Sequence, residues 1–360
     1  MRRSILLILP LMLSCCTNNI SVNTEILSED ILNQSQECVI DTLDVNDSLY
    51  LGARNFFVYK DSILIILRNQ PQNEKYIEFR NLKTHDLIAQ YFNHGNGRGE
   101  LLSANVDLND NLLFVNDFVK SQFAIVDIDS VITNPNYSPV ISKNVVASTP
   151  TVVPFKDGFI VENPYCFSDE SLNINQGIKD GVQRFIQIEP DAKEFELPTQ
   201  KYEYYTRSVA VDGRIIRNNK TEQIVYAYFG PSVIEFYDND LNIEKRIEGP
   251  KKMDIKYRTF TVTGMQQPLV VYKDRVPYSY LGYCCDERYV YLMYIGDFYT
   301  DDSDLMKMKT YILKFDWNGT FKKSYRAGMY LCSISKGNDE DTFYATGLAK
   351  NGERVLLKLN

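Results

Sequence analysis

The sequence predicts an all-β protein: a six-bladed β-propeller of four-stranded antiparallel blades behind a cleaved lipoprotein signal peptide. Three observations predict it. Tyr and Phe are abundant, 25 and 19 of 360 residues, and aromatic side chains favour strands. A strand–turn–strand unit recurs six times along the chain. Several of the recurring runs are apolar on both faces, as a strand covered by two layers requires.

The first element is the N-terminus, where Arg2 and Arg3 precede the apolar run "SILLILPLML". That run is too short for a permanent membrane span and reads as an export signal over residues 1–14. Next comes "LMLSCCTNN", with Ser14 before Cys15 and Met12 three residues back. The pattern resembles the lipobox of bacterial lipoproteins, in which the Cys after a small residue is lipidated and becomes the new N-terminus. Cys15 takes that role, with Cys16 as the alternative, and the acyl chains would hold the domain at a bilayer while it stays in water. Residues 15–36, opening with the polar "TNNISVN", are expected to be anchor and flexible tether. The tether carries no acid before Glu25, whereas related lipoproteins displayed outside often carry an acid-rich one. The expected location is therefore the outer membrane, facing the periplasm.

Loss of residues 1–14 leaves 37 basic and 47 acidic residues, a net charge of −10. With no run of five basic residues, nucleic acid is a poor partner. The acidic "DDSD" at 301–304 reads as a solvated loop. Export places Cys38, Cys166, Cys284, Cys285 and Cys332 where disulfides persist, with their pairing open. Cys284 and Cys285 would face opposite sides of a strand. There is no C-x2-C spacing, and His85 and His94 are the only histidines, so zinc is not expected and no cofactor is assigned.

Residues 37–360 are expected to form one propeller domain. The recurring unit is "YIEFRNLKTHDLIAQYF", "FAIVDIDS", "FIQIEPDAKEFEL", "VIEFYDNDLNIEKRIE", "YILKFDWNGTFKKSYR" and "VLLKLN". Taking Ile77, Phe123, Phe185, Val233, Tyr311 and Val355 as equivalent gives a mean spacing of about 56 residues, slightly beyond the roughly 40–50 of familiar blades. Two long intervals carry the excess. Each unit follows a more apolar strand: "SILIILR", "NLLFVND", "DGFIVEN", "QIVYAYFG", "RYVYLMYIG" and "DTFYATGL". Such units bury their faces only by stacking on one another, which predicts a single ring with no linker. "ECVIDTLDV", 37–45, is the candidate to close it opposite "RVLLKLN". Tandem β-sandwiches are the alternative, but no mid-chain break divides the sequence. "SDESLNINQGIKDG" reads as an insertion.

"HGNGRGELL" carries three glycines between an outer strand, "LIAQYFN", and the next blade. It is G-x-G-x-G, not the G-x-G-x-x-G of a dinucleotide site, no helix follows, and the Lys-Ser/Thr of a phosphate loop is missing. A turn between blades is the expected role, with the glycines allowing unusual backbone angles. This element, the lipobox and "KFDWNGTFKKSY" together resemble bacterial six-bladed, TolB-like β-propeller lipoproteins, a largely uncharacterised family, over most of the mature chain. The resemblance places Gly95, Gly97, Gly99 and Glu100 in the family's turn motif, with Arg98 where proline is common.

The resemblance implies binding of proteins, peptides or glycans, commonly at a channel mouth. Two tyrosine-rich segments are the candidate ligand surfaces: Tyr278, Tyr280, Tyr283, Phe298 and Tyr299 in one, and Tyr202, Tyr204 and Tyr205 beside Arg207 in the other. Tyrosines of this kind also serve as blade packing, and Tyr289 and Tyr291 alternate with Val290 and Leu292 within a buried strand. No G-x-S-x-G, H-E-x-x-H or histidine triad is present, so no catalytic residue is assigned. The expected function is a lipid-anchored, non-catalytic binding or scaffold module for a protein or glycan of the cell envelope. A permanent place in an envelope transport complex is one variant of it. The alternative is a propeller enzyme, a calcium-dependent lactonase-like or glycan-cleaving one, drawing on Asp107, Asp110, Asp117, Glu162 or Asp212. None of these fits the D-x-[DN]-x-[DN]-G calcium loop.

Overall fold

The runs that are apolar on both faces become the second strands of six blades. A computed structural model describes residues 22–43, 53–68, 75–143 (without 98, 118 and 121), 151–163, 167–168, 184–188, 205–261, 263, 268–299, 305, 307–349 and 352–360. In it these runs are Ile63–Arg68, Leu112–Asp117, Gly158–Glu162, Ile224–Tyr228, Tyr289–Tyr299 and Phe343–Leu348. Each pairs antiparallel with an inner strand on one side and, on the other, with the third strand that the repeat marks. Blades 1 to 6 span residues 53–91, 104–143, 152–188, 213–248, 276–326 and 331–359. The expected insertion at 168–181 lies outside the described residues, apart from Ser168.

Stacking explains the double-sided hydrophobicity. In blade 1, Ile65 and Leu67 pack toward blade 2, while Leu64 and Ile66 pack toward blade 6. In blade 4, Ile224, Tyr226 and Tyr228 face blade 3, while Val225 and Ala227 face blade 5. The hydrophobic core is accordingly divided into six clusters, one for each junction between neighbouring blades. Each fully buried aliphatic side chain contributes roughly 1.5–3 kcal/mol, and half of that burial belongs to a neighbour.

The ring closes in blade 6. Ile40–Thr42 adds the outermost strand to Arg354–Leu359 in antiparallel register, Ile40 opposite Leu359 and Thr42 opposite Leu357. Backbone bonds extend the seam, with Val39 N–H donating to Asn360 O at 2.9 Å and Asn360 N–H donating back at 3.0 Å. On the inner side, hydroxyls zip blade 6 to blade 1: the Phe56 and Val58 N–H groups donate to Thr346 and Ser335, each at 2.9 Å.

Three features lie outside the expected plan. The tether expected over 15–36 is structured from residue 23: Asn23–Ile26 adds a parallel fifth strand to blade 4, and Gln36–Glu37 adds one to blade 5. Between them the short helix Asp30–Asn33 buries Leu32. An edge strand needs only its backbone and one or two apolar anchors, here Leu27 and Leu32, so a polar sequence suffices. Second, a small mixed sheet joins Phe167–Ser168, Tyr205–Ser208, Leu269–Tyr272 and Tyr257–Phe260; its last two strands occupy the long interval between the blade 4 and blade 5 repeats. Third, blade 3 has three strands among the described residues.

Replacing Val39 by proline removes one seam donor while the side chain is 65% exposed. Val39→Pro is expected to lower the thermal midpoint by about 2–6 °C; an unchanged midpoint in calorimetry would show that this seam contributes nothing. A second prediction concerns Glu78, buried in blade 1. Burial raises its pKa, but the guanidiniums of Arg68 and Arg80, at 2.6 and 2.8 Å, outweigh burial and hold the carboxyl below its ordinary range. That stabilisation is present above the unfolded pKa of about 4.3 and is lost as pH falls through the lower folded value. Glu78→Gln is expected to cost about 1–3 kcal/mol at pH 7, with the gap to wild type narrowing at pH 3 in urea titrations.

Candidate functional site

The inner strands define the axis of the ring, and those of five blades carry half-exposed or exposed positions in their first part, whereas Val152 and Val153 of blade 3 are buried. Half-exposed or exposed positions lie toward the start: Arg54 and Asn55, Asn105 to Asp107, Arg214, Leu281 and Gly282, and Cys332. The following residues are buried: Phe56, Leu108 and Asn109, Ile215 and Ile216, Tyr283 to Cys285, and Ser333 to Ser335. Partly exposed polar groups therefore line the axis toward the end where these strands begin. Asn109 is fully buried. Its amide nitrogen donates to Arg217 O at 3.1 Å and Asn219 Oδ1 at 3.2 Å in blade 4, and its oxygen accepts from the Cys285 thiol of blade 5 at 3.1 Å.

Arg214 of blade 4 donates from Nη1 to Asp107 Oδ2 of blade 2 at 3.2 Å, with side chains 25% and 17% exposed. The Phe229 ring lies under its guanidinium, 4.9 Å away. Arg214 Nε and the Tyr283 hydroxyl are buried with no hydrogen-bond partner. Arg54 donates to Ala104 O at 3.1 Å, and Arg354 to Asn55 at 2.9 Å. Burial lowers the Arg54 pKa, and the charges of Arg354 and Arg214 lower it further against an opposing Asp107.

The opposite end face carries two cavities of about 290 and 220 Å³ that share Asp110, Cys285 and Asp286. Their charges are largely spent on each other or on neighbours, in the pairs Lys220–Glu287, Arg217–Glu222, Lys60–Asp129 and Arg288–Glu340. Burial pushes the Asp110 carboxyl up, opposed by Lys60 and reinforced by Glu287. Among the described residues no group of three or more His, Cys, Asp or Glu is placed to hold a metal ion.

The structure separates the nominated tyrosines. Tyr278 and Tyr299 stack with ring centroids 5.6 Å apart and planes within 8°, and Arg275 lies over the Phe298 ring at 4.6 Å. They form a half-exposed ledge at the end of blade 5 where its inner strand begins. Tyr280 and Tyr283 are not on that surface. Tyr280 is fully buried and donates to Gly249 O at 2.5 Å, and Tyr283 packs in the cluster between blades 4 and 5, where the charges of Asp107 and Arg214 act on its hydroxyl. Tyr202 and Tyr204 lie outside the described residues, as do Cys15 and Cys16; Tyr205 and Arg207 lie on the small mixed sheet.

The acids do not converge. Asp107 is in the channel and Asp110 at the far mouth, while Asp117 holds a turn by accepting from the Leu102, Val119 and Lys120 N–H groups. Glu162 is buried between blades 3 and 4, hydrogen-bonded to Tyr226 and Arg184, and burial raises its pKa. Cys38, Cys284, Cys285 and Cys332 are free thiols. Arg54, Asn109 and Arg214 escape sequence reading because they lie on strands of three different blades and no local spacing joins them.

The glycine element is a turn filled by its own acid. The Gly97 N–H, which in a phosphate loop would face the ligand, donates to Glu100 Oε2 at 2.7 Å. Lys120 Nζ donates to Gly97 O at 2.7 Å and Glu100 O at 2.6 Å. A Cβ on Gly95, at φ +152°, would sit 2.2 Å from the same carboxylate oxygen.

No family model and no curated protein matches the chain. Among solved structures it is similar to a member of the DUF4221 family from Bacteroides vulgatus, at 9% identity and a TM-score of 0.52, covering 91% of this chain and 97% of that one. It is also similar to a "putative exported protein" from Bacteroides fragilis, at 13% identity and a TM-score of 0.45, covering 94% and 99%. The likeness to the DUF4221 member shows a shared fold.

Gly95→Ala is expected to destabilise by about 1–3 kcal/mol, because the new methyl meets the Glu100 carboxylate. In a Glu100→Ala background the same substitution should cost less than half as much. Additive costs in the double-mutant cycle would contradict this origin.

Proposed function

We propose that the protein is an exported, lipid-anchored β-propeller of the cell envelope, related to TolB-like propeller lipoproteins. It acts as a non-catalytic binding module for a protein or glycan partner. The observation that carries this reading is the asymmetry of the two end faces. Toward one end lie two buried donors without acceptors, Arg214 Nε and the Tyr283 hydroxyl, and the aromatic ledge of blade 5, while at the other end Asn109 bridges three blades and the charges are mostly paired.

The anchor is compatible with such a role. Cys15 precedes Asn23, the first residue held on the rim of blade 4, by eight residues, a leash of at most about 28 Å. The ring would thus stay close to the membrane that carries the lipid, with its rim nearest the attachment. The export signal over residues 1–14 and the lipobox both support delivery to the envelope.

Two outcomes are expected. Cys15→Ala should move the protein from the membrane to the soluble fraction, with loss of incorporated labelled palmitate; retention of both in the variant would move the anchor to Cys16. On glycan and peptide arrays, binding by wild type should fall at least tenfold in a Tyr278→Ala, Tyr299→Ala double variant that still melts cooperatively. Undiminished binding, or binding to neither array, would contradict the ledge as the ligand surface.

A further inference from the structure

We propose that the channel binds the oxyanion of a small acidic ligand, with Arg214 Nε and the Tyr283 hydroxyl as its direct donors and Arg54 at its entrance. The inference deepens the binding reading above and rests on the same end. Its first support is chemical. A buried donor left without an acceptor costs about 1–3 kcal/mol, and proteins rarely leave one. Here two, Arg214 Nε and Tyr283 Oη, come from the adjacent blades 4 and 5; the charges of Arg214 and Asp107 act on the Tyr283 hydroxyl, and Tyr283 is only 6% exposed.

The second support is the charge inventory. The charges of Arg354 and Arg214 both act on Arg54, and Asp107 opposes them there. Asp107 takes Nη1 of Arg214, and the buried Nε is left without an acceptor. Phe229 beneath the plane fixes its orientation. Planar, pre-oriented guanidinium is suited to carboxylate and phosphate oxygens, whereas neutral ligands gain little from it. Glu162, whose charge also acts on Arg214, is buried, and burial favours its uncharged form, so it competes weakly for that cation. Asn109 bridges blades 2, 4 and 5 across the axis, between these donors and the far face.

The test uses the full mature chain in detergent, titrated with glucuronate, inorganic phosphate, or glucose, against chloride at matched ionic strength. Glucuronate or phosphate should raise the thermal midpoint while glucose does not, and whichever anion acts identifies the group as carboxylate or phosphate. Tyr283→Phe deletes a hydroxyl with no partner, so without anion it should melt at or above the wild-type temperature. It should nonetheless bind the anion at least tenfold more weakly, and Arg214→Met should abolish the effect. The proposal fails if neither anion stabilises, if glucose does so equally, if both variants keep full stabilisation, or if Tyr283→Phe alone is destabilising. Ledge-dependent array binding that survives such a failure would leave the binding module standing without an oxyanion pocket; loss of both would remove the module as well.

Discussion

No blade of this protein can bury its own surface. Each sheet is apolar on both faces, and every one of the six hydrophobic clusters is shared between two neighbouring sheets. That requirement has no solution in an open row, because the end blades would expose a face. The ring must close, and much of the rest of the structure follows from how closure is achieved. The last three strands receive Ile40–Thr42 as a fourth, and the segment before it is drawn along the rim of blades 4 and 5 as two added edge strands. These strands cover edges that would otherwise invite pairing with other chains.

Closure also produces the site. Six inner strands converge on one axis, and polar residues there cannot be shared with a neighbouring blade as the apolar ones are. Where the strands run deepest, Asn109 resolves this by bridging blades 2, 4 and 5. Nearer the end where they begin the polar groups are only partly satisfied, with Arg214 held to Asp107 and stacked on Phe229 but its Nε left without an acceptor. Stability and binding capacity therefore occupy different depths of the same channel.

The fold was legible because its signal is collective. Double-sided runs such as "SILIILR" and the repeated third strands mark six units, and both sets fall on the same positions in every blade. The closing strand was legible too, since "ECVIDTLDV" has the apolar content to face "RVLLKLN". The rim strands were not, because Asn23–Ile26 and Gln36–Glu37 are held by backbone bonds that leave no mark on side-chain pattern. The tyrosines show the opposite limit. Their abundance predicted strands, but a Tyr that stacks at a surface and one that fills a core read alike; only three-dimensional placement puts Tyr278 and Tyr299 on the ledge, Tyr280 in the core and Tyr283 between blades 4 and 5. Arg54, Asn109 and Arg214 come from three blades, so no local spacing could bring them together.

The central claim is that one end of the channel is a binding pocket built on unspent donors. A high-resolution crystal structure of the mature chain grown with glucuronate and, separately, with phosphate tests it most directly. The account predicts an anion within hydrogen-bond distance of both Arg214 Nε and Tyr283 Oη, with Asn109 still bridging blades 2, 4 and 5. Ordered water alone at those two atoms, with the anion absent or bound elsewhere, would contradict it.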